Sequence, residues 1–481
     1  MFSPFLIDKM QLRYLNFLVF AVLTVMHSPS ELSAADPRPN VIFILADDLG
    51  WGDLGCYGNK IIKTPNLDRM AKEGMLLTHF YVNGSVCSPS RCAFFTGQYP
   101  ARHRIHGHYA TEQSNQSRGM SNWLDPQVNN IAKSLKTSGY RTAHIGKWHL
   151  GSNSGGPDPS AYGFDFVGST ESGGANGPST DPYYRAKSTS LFVDESLRFI
   201  SESKQQPFYL QLWTLVPHAT LNPTPDQMEP YSQYRAGKKN FPHASAMEIF
   251  AASVTNLDTE IGRLLDGLKT MGLDENTLIF FSSDNGPEDI HIVNAGHSGV
   301  GSAGPFRGRK RSLYEGGIRV PGIVRWPGKV PAGIVDDESI VAGVDWYPTV
   351  CRLAGINPPS NHNFDGEDRS SVFFGKGVPR TNPLMWEWRF NIAGEPFHHS
   401  PELAIREDQW KLLMNPDRSR IELYDLRVDA TQLNNIAEHH PDIVDKLSKK
   451  VLNWAKELPP GPRDPNAGKM HYGKPIASPK N

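Results

Sequence analysis

The chain has 481 residues with a formal net charge of -1, and 38% of it is hydrophobic, 10% aromatic and 21% charged. That is enough apolar material for one large core and a smaller appendage, and the even charge balance excludes the basic surface with which a nucleic-acid binder displaces counterions from phosphates. Only four cysteines occur, Cys56, Cys87, Cys92 and Cys351, so the fold does not depend on a disulfide framework, although one bridge is permitted.

Lys9 and Arg13 precede the apolar run Leu15 to Val25, and Ser33-Ala34-Ala35 supplies small residues for cleavage, so residues 1–35 read as a secretory signal peptide. The run is shorter than the roughly 20 apolar residues a membrane span needs. No later segment is apolar enough, so an exported protein, periplasmic or secreted, is expected, with no membrane span after signal removal. From Asn40, short β-branched or aromatic runs alternate with segments of helical period. Strands are expected at Val41 to Ala46, Thr142 to Ile145, Phe208 to Val216, Leu278 to Ser282 and Gly322 to Arg325, and helices at Asn66 to Lys72, Ile131 to Thr137, Leu191 to Ser201 and Ala246 to Leu268. This alternation predicts an α/β fold over 36–378, a large doubly wound sheet, mixed but mostly parallel, flanked by helices. The Gly/Ser/Pro-rich stretches Ser152 to Pro159 and Ser169 to Ser179 read as loops. Composition shifts at Asp365 to Pro379. Beyond it, Leu384 to Phe390, Glu402 to Arg406, Trp410 to Met414 and Ile421 to Leu426 read as a small antiparallel sheet with the helix Ile443 to Leu458 packed on it. These form a C-terminal subdomain over 379–481 whose tail from Pro459 reads as loosely ordered.

Four expected strands end in residues of unusual chemistry: Asp47-Asp48, Lys147-Trp148-His149, His218, and Asp284-Asn285. In open α/β sheets ligands bind beyond the carboxyl ends of the strands. Asp47, Asp48, Asp284 and Asn285 are a hard, all-oxygen set that suits calcium or magnesium rather than zinc. Taken singly, such pairs are equally ordinary turn chemistry, and Asn285-Gly286 most simply so. Lys147, His149 and His218 suit an anion and proton transfer, while each alone is also a common surface or core residue. Cys87 opens the segment Cys87-Ser88-Pro89-Ser90-Arg91, which runs on through Cys92 to Thr96-Gly97, and its spacing from Cys92 also fits a small disulfide loop.

The Cys-Ser-Pro-Ser-Arg segment is the motif that marks sulfatases of the formylglycine type. The likeness continues in Leu45 to Gly50, Gly146 to Gly151, Val216-Pro217-His218, Ser283 to Gly286, Gly308-Arg309-Lys310, Tyr314 to Pro321, and Glu422 to Leu426 with Asn434-Asn435. The chain therefore resembles the type I sulfatases of the alkaline phosphatase superfamily, over most of its length after the signal. The resemblance implies an alkaline phosphatase-like fold and hydrolysis of a sulfate ester to an alcohol and inorganic sulfate. It also implies that a formylglycine-generating enzyme converts Cys87 to an aldehyde whose hydrate is the nucleophile. Asp47, Asp48, Asp284, Asn285 and an oxygen of the modified Cys87 would then hold Ca2+, Mg2+ being less expected. Arg91 would steady the hydrate and the carboxylates, Lys147 and Lys310 would contact the sulfate oxygens, His149 would act as base on the hydrate, and His218 or Lys310 would protonate the departing alcohol. Ser172 stands, by way of Gly163-Phe164 and Gly168, near the position of a sulfate-binding serine. One geminal hydroxyl attacks sulfur and deprotonation of the other expels sulfate, so no water has to attack sulfur.

Two departures from the family pattern stand out: the proline that commonly follows the histidine closely is delayed here to Pro223, and Cys92 replaces a small residue. Specificity would come from the loops Asp181 to Ser190, Leu221 to Pro242, Glu288 to Gly304 and Trp386 to Ser400. Their Tyr183, Tyr184, Arg185, Trp386, Trp388, Arg389, His398 and His399 suit a sulfated sugar as well as loop packing. The expected substrate is a sulfated small molecule or glycan, first a sulfated polysaccharide or glycosaminoglycan fragment, with aryl sulfates as surrogates. Two alternatives share the motif set: a phosphate or phosphonate ester hydrolase of the same superfamily, and a non-catalytic sulfated-glycan-binding protein with an unmodified thiol.

Overall fold

The structure, a computed structural model, describes residues 37–151, 156–170, 181–235, 244–292 and 295–470. The expected signal peptide and Ser172 lie outside the described residues. The strands in chain order are β1 (Asn40–Ala46), β2 (Met75–Leu77), β3 (Phe80–Tyr81), β4 (Arg141–Lys147), β5 (Phe166–Thr170), β6 (Phe208–Trp213), β7 (Thr277–Ser283), β8 (Gly322–Arg325), β9 (Ile334–Asp336), β10 (Val341–Ala342), β11 (Leu384–Glu387), β12 (Leu403–Glu407), β13 (Trp410–Met414) and β14 (Glu422–Asp425). Eight of them form one sheet in the order β5-β4-β6-β1-β7-β8-β2-β9. From β5 to β7 all neighbours are parallel; β8 runs antiparallel to both β7 and β2, so the sheet is mixed but mostly parallel.

β1 is central because every residue of its sequence NVIFILA is buried, as a strand covered on both faces requires. Its side chains alternate between two cores. Val41, Phe43 and Leu45 join Tyr209, Trp213, Leu278 and Phe280 with Phe94 and Trp346 on one face. Ile42, Ile44 and Ala46 join Leu210, Leu212, Ile279 and Phe281 with Leu257 and Ile261 of the helix Ala244–Thr270 on the other. The period-2 pattern of a strand thus produces two apolar layers, each covered by helices.

Two sequence expectations are corrected. The third strand stops at Trp213 rather than Val216. The segment Asp181 to Ser190 is not a loop: a helix begins at Tyr184 and runs to Glu202, and its small and polar Ala186, Ser188 and Thr189 form part of the buried face. The helix Cys87–Thr96 carries no amphipathic period because all ten of its residues are buried. In the small sheet β11-β12-β13-β14 every pair is antiparallel, and the helix Pro441–Glu457 packs across it. The segment from Pro459 is held, as far as the described residues go, by Arg463 on Glu402 at 2.6 Å and by the Asp464 amide on Arg389 O at 2.9 Å.

Candidate active site

β4, β6, β1 and β7 are adjacent and parallel, so their carboxyl ends lie side by side. This register gathers residues far apart in sequence. The Asp47 amide donates to Val216 O and the Asp284 amide to Ala46 O, each at 3.2 Å, which locks the three strand ends together. Asp48 turns back with φ 68, a left-handed conformation an aspartate tolerates better than most residues, and its amide donates to Asp284 Oδ1 at 3.1 Å. Asn285 Nδ2 donates to Asp48 Oδ1 at 2.7 Å, while Asn285 Oδ1 is buried without a partner.

Cys87 is the first residue of the buried helix Cys87–Thr96 and faces these carboxylates. Its thiol lies 3.5 Å from Asp47 Oδ1 and 4.0 Å from Asp48 Oδ1. The ligand atoms of Asp47, Asp48, Cys87 and Asp284 all lie within 4.8 Å of one another. One turn along the helix, Arg91 is fully buried over the Trp213 ring. Its Nε and Nη2 donate to Asp284 Oδ2 at 3.1 and 2.7 Å, and Nη1 donates to Lys147 O at 2.8 Å. Lys147 Nζ reaches Asp47 Oδ2 at 2.6 Å, and Lys310 Nζ reaches both oxygens of Asp48 at 2.7 Å.

His149, with φ 54, sits beyond β4. Its Nε2 donates to Tyr109 O at 3.1 Å, since a carbonyl only accepts, which leaves Nδ1, buried and unpartnered, as the lone-pair nitrogen. The Tyr109 amide donates to Ser88 Oγ at 3.0 Å, so one short segment bridges His149 and the residue next to Cys87. His218 is partly open to solvent; its Nδ1 donates to Ala219 O at 2.7 Å and its Nε2 lies 3.7 Å from Asp48 Oδ2.

The electrostatics follow from burial and charge packing. Burial opposes ionisation of Asp47, but Lys147, His218, Arg91 and Lys310 outweigh it and hold the carboxyl well below its usual range. Burial and the repulsion of Asp47 push Asp284 up to about 7 against the pull of Arg91. Burial, reinforced by Lys147, Arg91 and His108, keeps His149 neutral. Burial and the Asp284 charge push the Cys87 thiol up, so it is not a thiolate nucleophile at neutral pH.

All of the described residues read from the sequence as site residues therefore meet at one place, with three carboxylates and three cations within hydrogen-bonding reach. The sugar-stacking reading of the later loops fails. Trp386, Trp388, Arg389 and His399 are buried, Trp386 Nε1 donating to Val82 O at 2.7 Å and Arg389 Nε to Glu387 at 2.8 Å. Arg185 Nη1 donates to Leu215 O and His218 O, and His398 Nδ1 accepts from the Gly308 amide. Cys92 forms no disulfide; its sulfur lies 3.9 Å from Thr96 Oγ1, and all four cysteines are free. Two residues beside the site escape sequence reading: Glu288, taken as loop, and Arg311, one of four crowded cations. The signal for Glu288 was its place three residues after Asn285.

A family model described as Sulfatase matches residues 39–356, and one described as N-sulphoglucosamine sulphohydrolase, C-terminal, matches residues 304–457. The chain is 33% identical over 401 residues to N-acetylgalactosamine-6-sulfatase of Canis lupus familiaris, covering 76% of this chain and 72% of that one. It is 29% identical to Arylsulfatase G of Rattus norvegicus, covering 86% and 85% of the two chains. Among solved structures, Ps i-CgsB in complex with k-i-k-neocarrahexaose matches with a TM-score of 0.72 at 26% identity, over 88% of this chain and 94% of that one.

Proposed function

The chain belongs to the sulfatase family, and on that premise we propose that it hydrolyses the sulfate ester of a carbohydrate to the alcohol and inorganic sulfate, using a formylglycine made from Cys87. The observation that carries this reading is the position of Cys87: the first residue of a buried helix, facing three carboxylates and flanked by Arg91, Lys147 and Lys310. A buried thiol with no route to the thiolate is inert as it stands. Oxidation by a formylglycine-generating enzyme, acting before the chain closes over Cys87, would make an aldehyde there, and addition of water to it would supply the geminal hydroxyl nucleophile.

Asp47, Asp48, Asp284 and the orphaned Asn285 Oδ1 fit a hard divalent cation, since all four offer oxygen and the amide oxygen has no other partner. They would hold Ca2+, which when bound supplies fixed positive charge for the developing negative charge on the sulfuryl group. Arg91 orients Asp284 and, through Lys147 O, the end of β4. Lys147 and Lys310 reach in from β4 and from the turn before Glu315, and supply the cations for the sulfuryl oxygens. His149 Nδ1 is the free lone pair beside the Cys87 helix and takes the proton from the hydrate. Lys310, which carries N–H protons whatever its partner, gives a proton to the departing alcohol; His218, kept neutral by burial and holding its one N–H on Ala219 O, presents only a lone pair at Nε2 and does not.

Names of the relatives support a sulfated carbohydrate: one is an N-acetylgalactosamine-6-sulfatase, and another was solved in complex with k-i-k-neocarrahexaose. Among the described residues no helix is long and apolar enough to cross a membrane, and an extracytoplasmic location is part of the proposal. The test compares rates on matched aryl sulfate, aryl phosphate and sulfated oligosaccharides, with peptide mass analysis of Cys87 in protein from the native host. Expected are a formylglycine mass and a preference for sulfate. An unmodified thiol, or faster phosphate than sulfate hydrolysis, would overturn the reading.

A further inference from the structure

Two buried charged groups beside the site, Glu288 and Arg311, take no part in the chemistry above. Glu288 is 5% and Arg311 9% exposed. Arg311 Nη1 donates to Glu288 Oε1 at 2.5 Å and Nη2 to Oε2 at 3.0 Å, the two-pronged pairing that a guanidinium makes and an ammonium cannot. The Asp289 amide completes the shell at Oε1 with a bond of 2.8 Å. The Lys310 ammonium lies 3.7 Å from Glu288 Oε2 while bonding both oxygens of Asp48. It thus stands between two buried carboxylates and is hydrogen-bonded to only one.

The backbone holds this arrangement under strain. Lys310 and Arg311 are consecutive; the Lys310 amide donates to Pro287 O at 2.9 Å and the Arg311 amide to Ser85 O at 2.8 Å. The turn is therefore tied both to the segment after Asn285 and to the segment that leads into the Cys87 helix. Arg311 takes φ 77, the left-handed region where glycine is at ease and arginine is not. Such a conformation persists only where the surroundings over-determine it. A buried carboxylate deprived of its cation draws in the next one available, because an unpaired buried charge is costly. For Glu288 that next cation is Lys310.

We propose that Arg311 is a positioning residue: by occupying both oxygens of Glu288 it prevents that carboxylate from capturing Lys310, and so keeps the Lys310 ammonium on the Asp48 side, where the sulfuryl group is handled. The inference rests on the function proposed above for Lys310, but the position of the ammonium can be tested by itself.

Arg311→Gly accepts the left-handed backbone without strain and strips Glu288 of its guanidinium. Its crystal structure should place Lys310 Nζ within hydrogen-bonding distance of Glu288, and kcat on an aryl sulfate should fall about tenfold or more, as expected for a misplaced charge. Adding Glu288→Gln removes the competing charge and should restore kcat to within about threefold of the unmutated protein, a coupling that independent sites do not show. Arg311→Lys keeps a cation but loses the second prong; it should fall less, be restored in the same way, and carry the test should the glycine variant not fold. A pair that merely stabilises the fold regains Tm in the double variant, as a buried pair does once neither charge is left alone, but leaves Lys310 on Asp48 and kcat of the folded enzyme unchanged in the Arg311→Gly variant. Either finding, Nζ still on Asp48 in the Arg311→Gly crystals or no recovery in the double variant, overturns the proposal. Absence of sulfate-ester turnover in the unmutated protein counts against the proposed function instead, and the crystals then decide the role of Arg311.

Discussion

Glu315→Gln tests how the small sheet is fastened to the site. Glu315 is wholly buried at the start of the helix Glu315–Ile318, five residues after Lys310. Its Oε1 accepts from Lys411 Nζ at 2.7 Å, and its Oε2 from the Tyr81 hydroxyl at 2.6 Å and Arg319 Nη1 at 3.4 Å. Lys411 stands on β13, so this pair joins the small sheet to the segment that carries Lys310. Burial disfavours the Glu315 charge, but Lys411, Arg319 and Arg406 outweigh it and hold the carboxyl down to about 2 from an ordinary 4.5. At about 1.36 kcal/mol per pH unit between the two values, the ionised carboxylate contributes about 3 kcal/mol at neutral pH. Breaking a buried pair by removing one partner costs a similar ~3–5 kcal/mol. The glutamine keeps the shape but turns an NH2 against either Lys411 or the Tyr81 hydroxyl and Arg319. It also leaves Lys411, which burial pushes down to about 8 even beside Glu315, ready to release its proton. For a chain of this size the loss corresponds to a fall of about 3–4 °C in Tm.

Circular dichroism melts of the unmutated protein, Glu315→Gln and the double variant with Lys411→Met measure it. The double variant should recover most of the loss, since neither charge is then buried alone. Because the folded pKa is depressed, the stabilisation is fully present above about 4.5 and disappears as the pH falls through about 2, so the two melts should converge over that window. A Tm change under about 1 °C at pH 7 would refute the reasoning, as would a gap that widens below about pH 4.5.

Cys87→Ala should release no sulfate yet melt within about 2 °C of the unmutated protein, because it deletes one small buried atom and no strong bond; appreciable turnover would contradict the assigned nucleophile. Arg91→Lys keeps the charge but cannot reach Asp284 and Lys147 O together, so a loss of about 2–3 kcal/mol and about 100-fold in kcat is expected. Calcium added to chelator-treated protein should raise Tm as the site fills, the free energy of unfolding growing by about 2.7 kcal/mol at a hundredfold excess over Kd. Asn285→Ala should weaken that rise by removing the orphaned oxygen, and a melt indifferent to calcium in both proteins would speak against the metal site.

Much of the fold was legible because the pattern and the burial coincide. β1 reads as a central strand from an unbroken apolar run, and Ile131–Thr137 and Trp410–Met414 lie where their periodicity puts them. The helix Cys87–Thr96 was not legible, since a helix buried on every side has no apolar stripe to read. Nor was the start of the helix at Tyr184, where small polar residues face inward instead of marking a loop. Trp386 and Trp388 look like sugar platforms as letters but are core residues in the fold, because the aromatic type alone does not tell packing from binding.

The local motifs by themselves determined the family, the alternation of strands and helices, and the pairs Asp47-Asp48 and Asp284-Asn285 with Cys87 and Arg91, because each motif lies within a few consecutive residues. Tertiary structure alone decided that these pairs share one cluster, that His149 offers Nδ1, that no cysteine is bridged, and that Lys310 stands between Asp48 and the Glu288 carboxylate that Arg311 holds. Those facts depend on the parallel register of β4, β6, β1 and β7 and on side-chain distances of a few ångströms between residues as far apart as Asp48 and Lys310, which no linear spacing encodes.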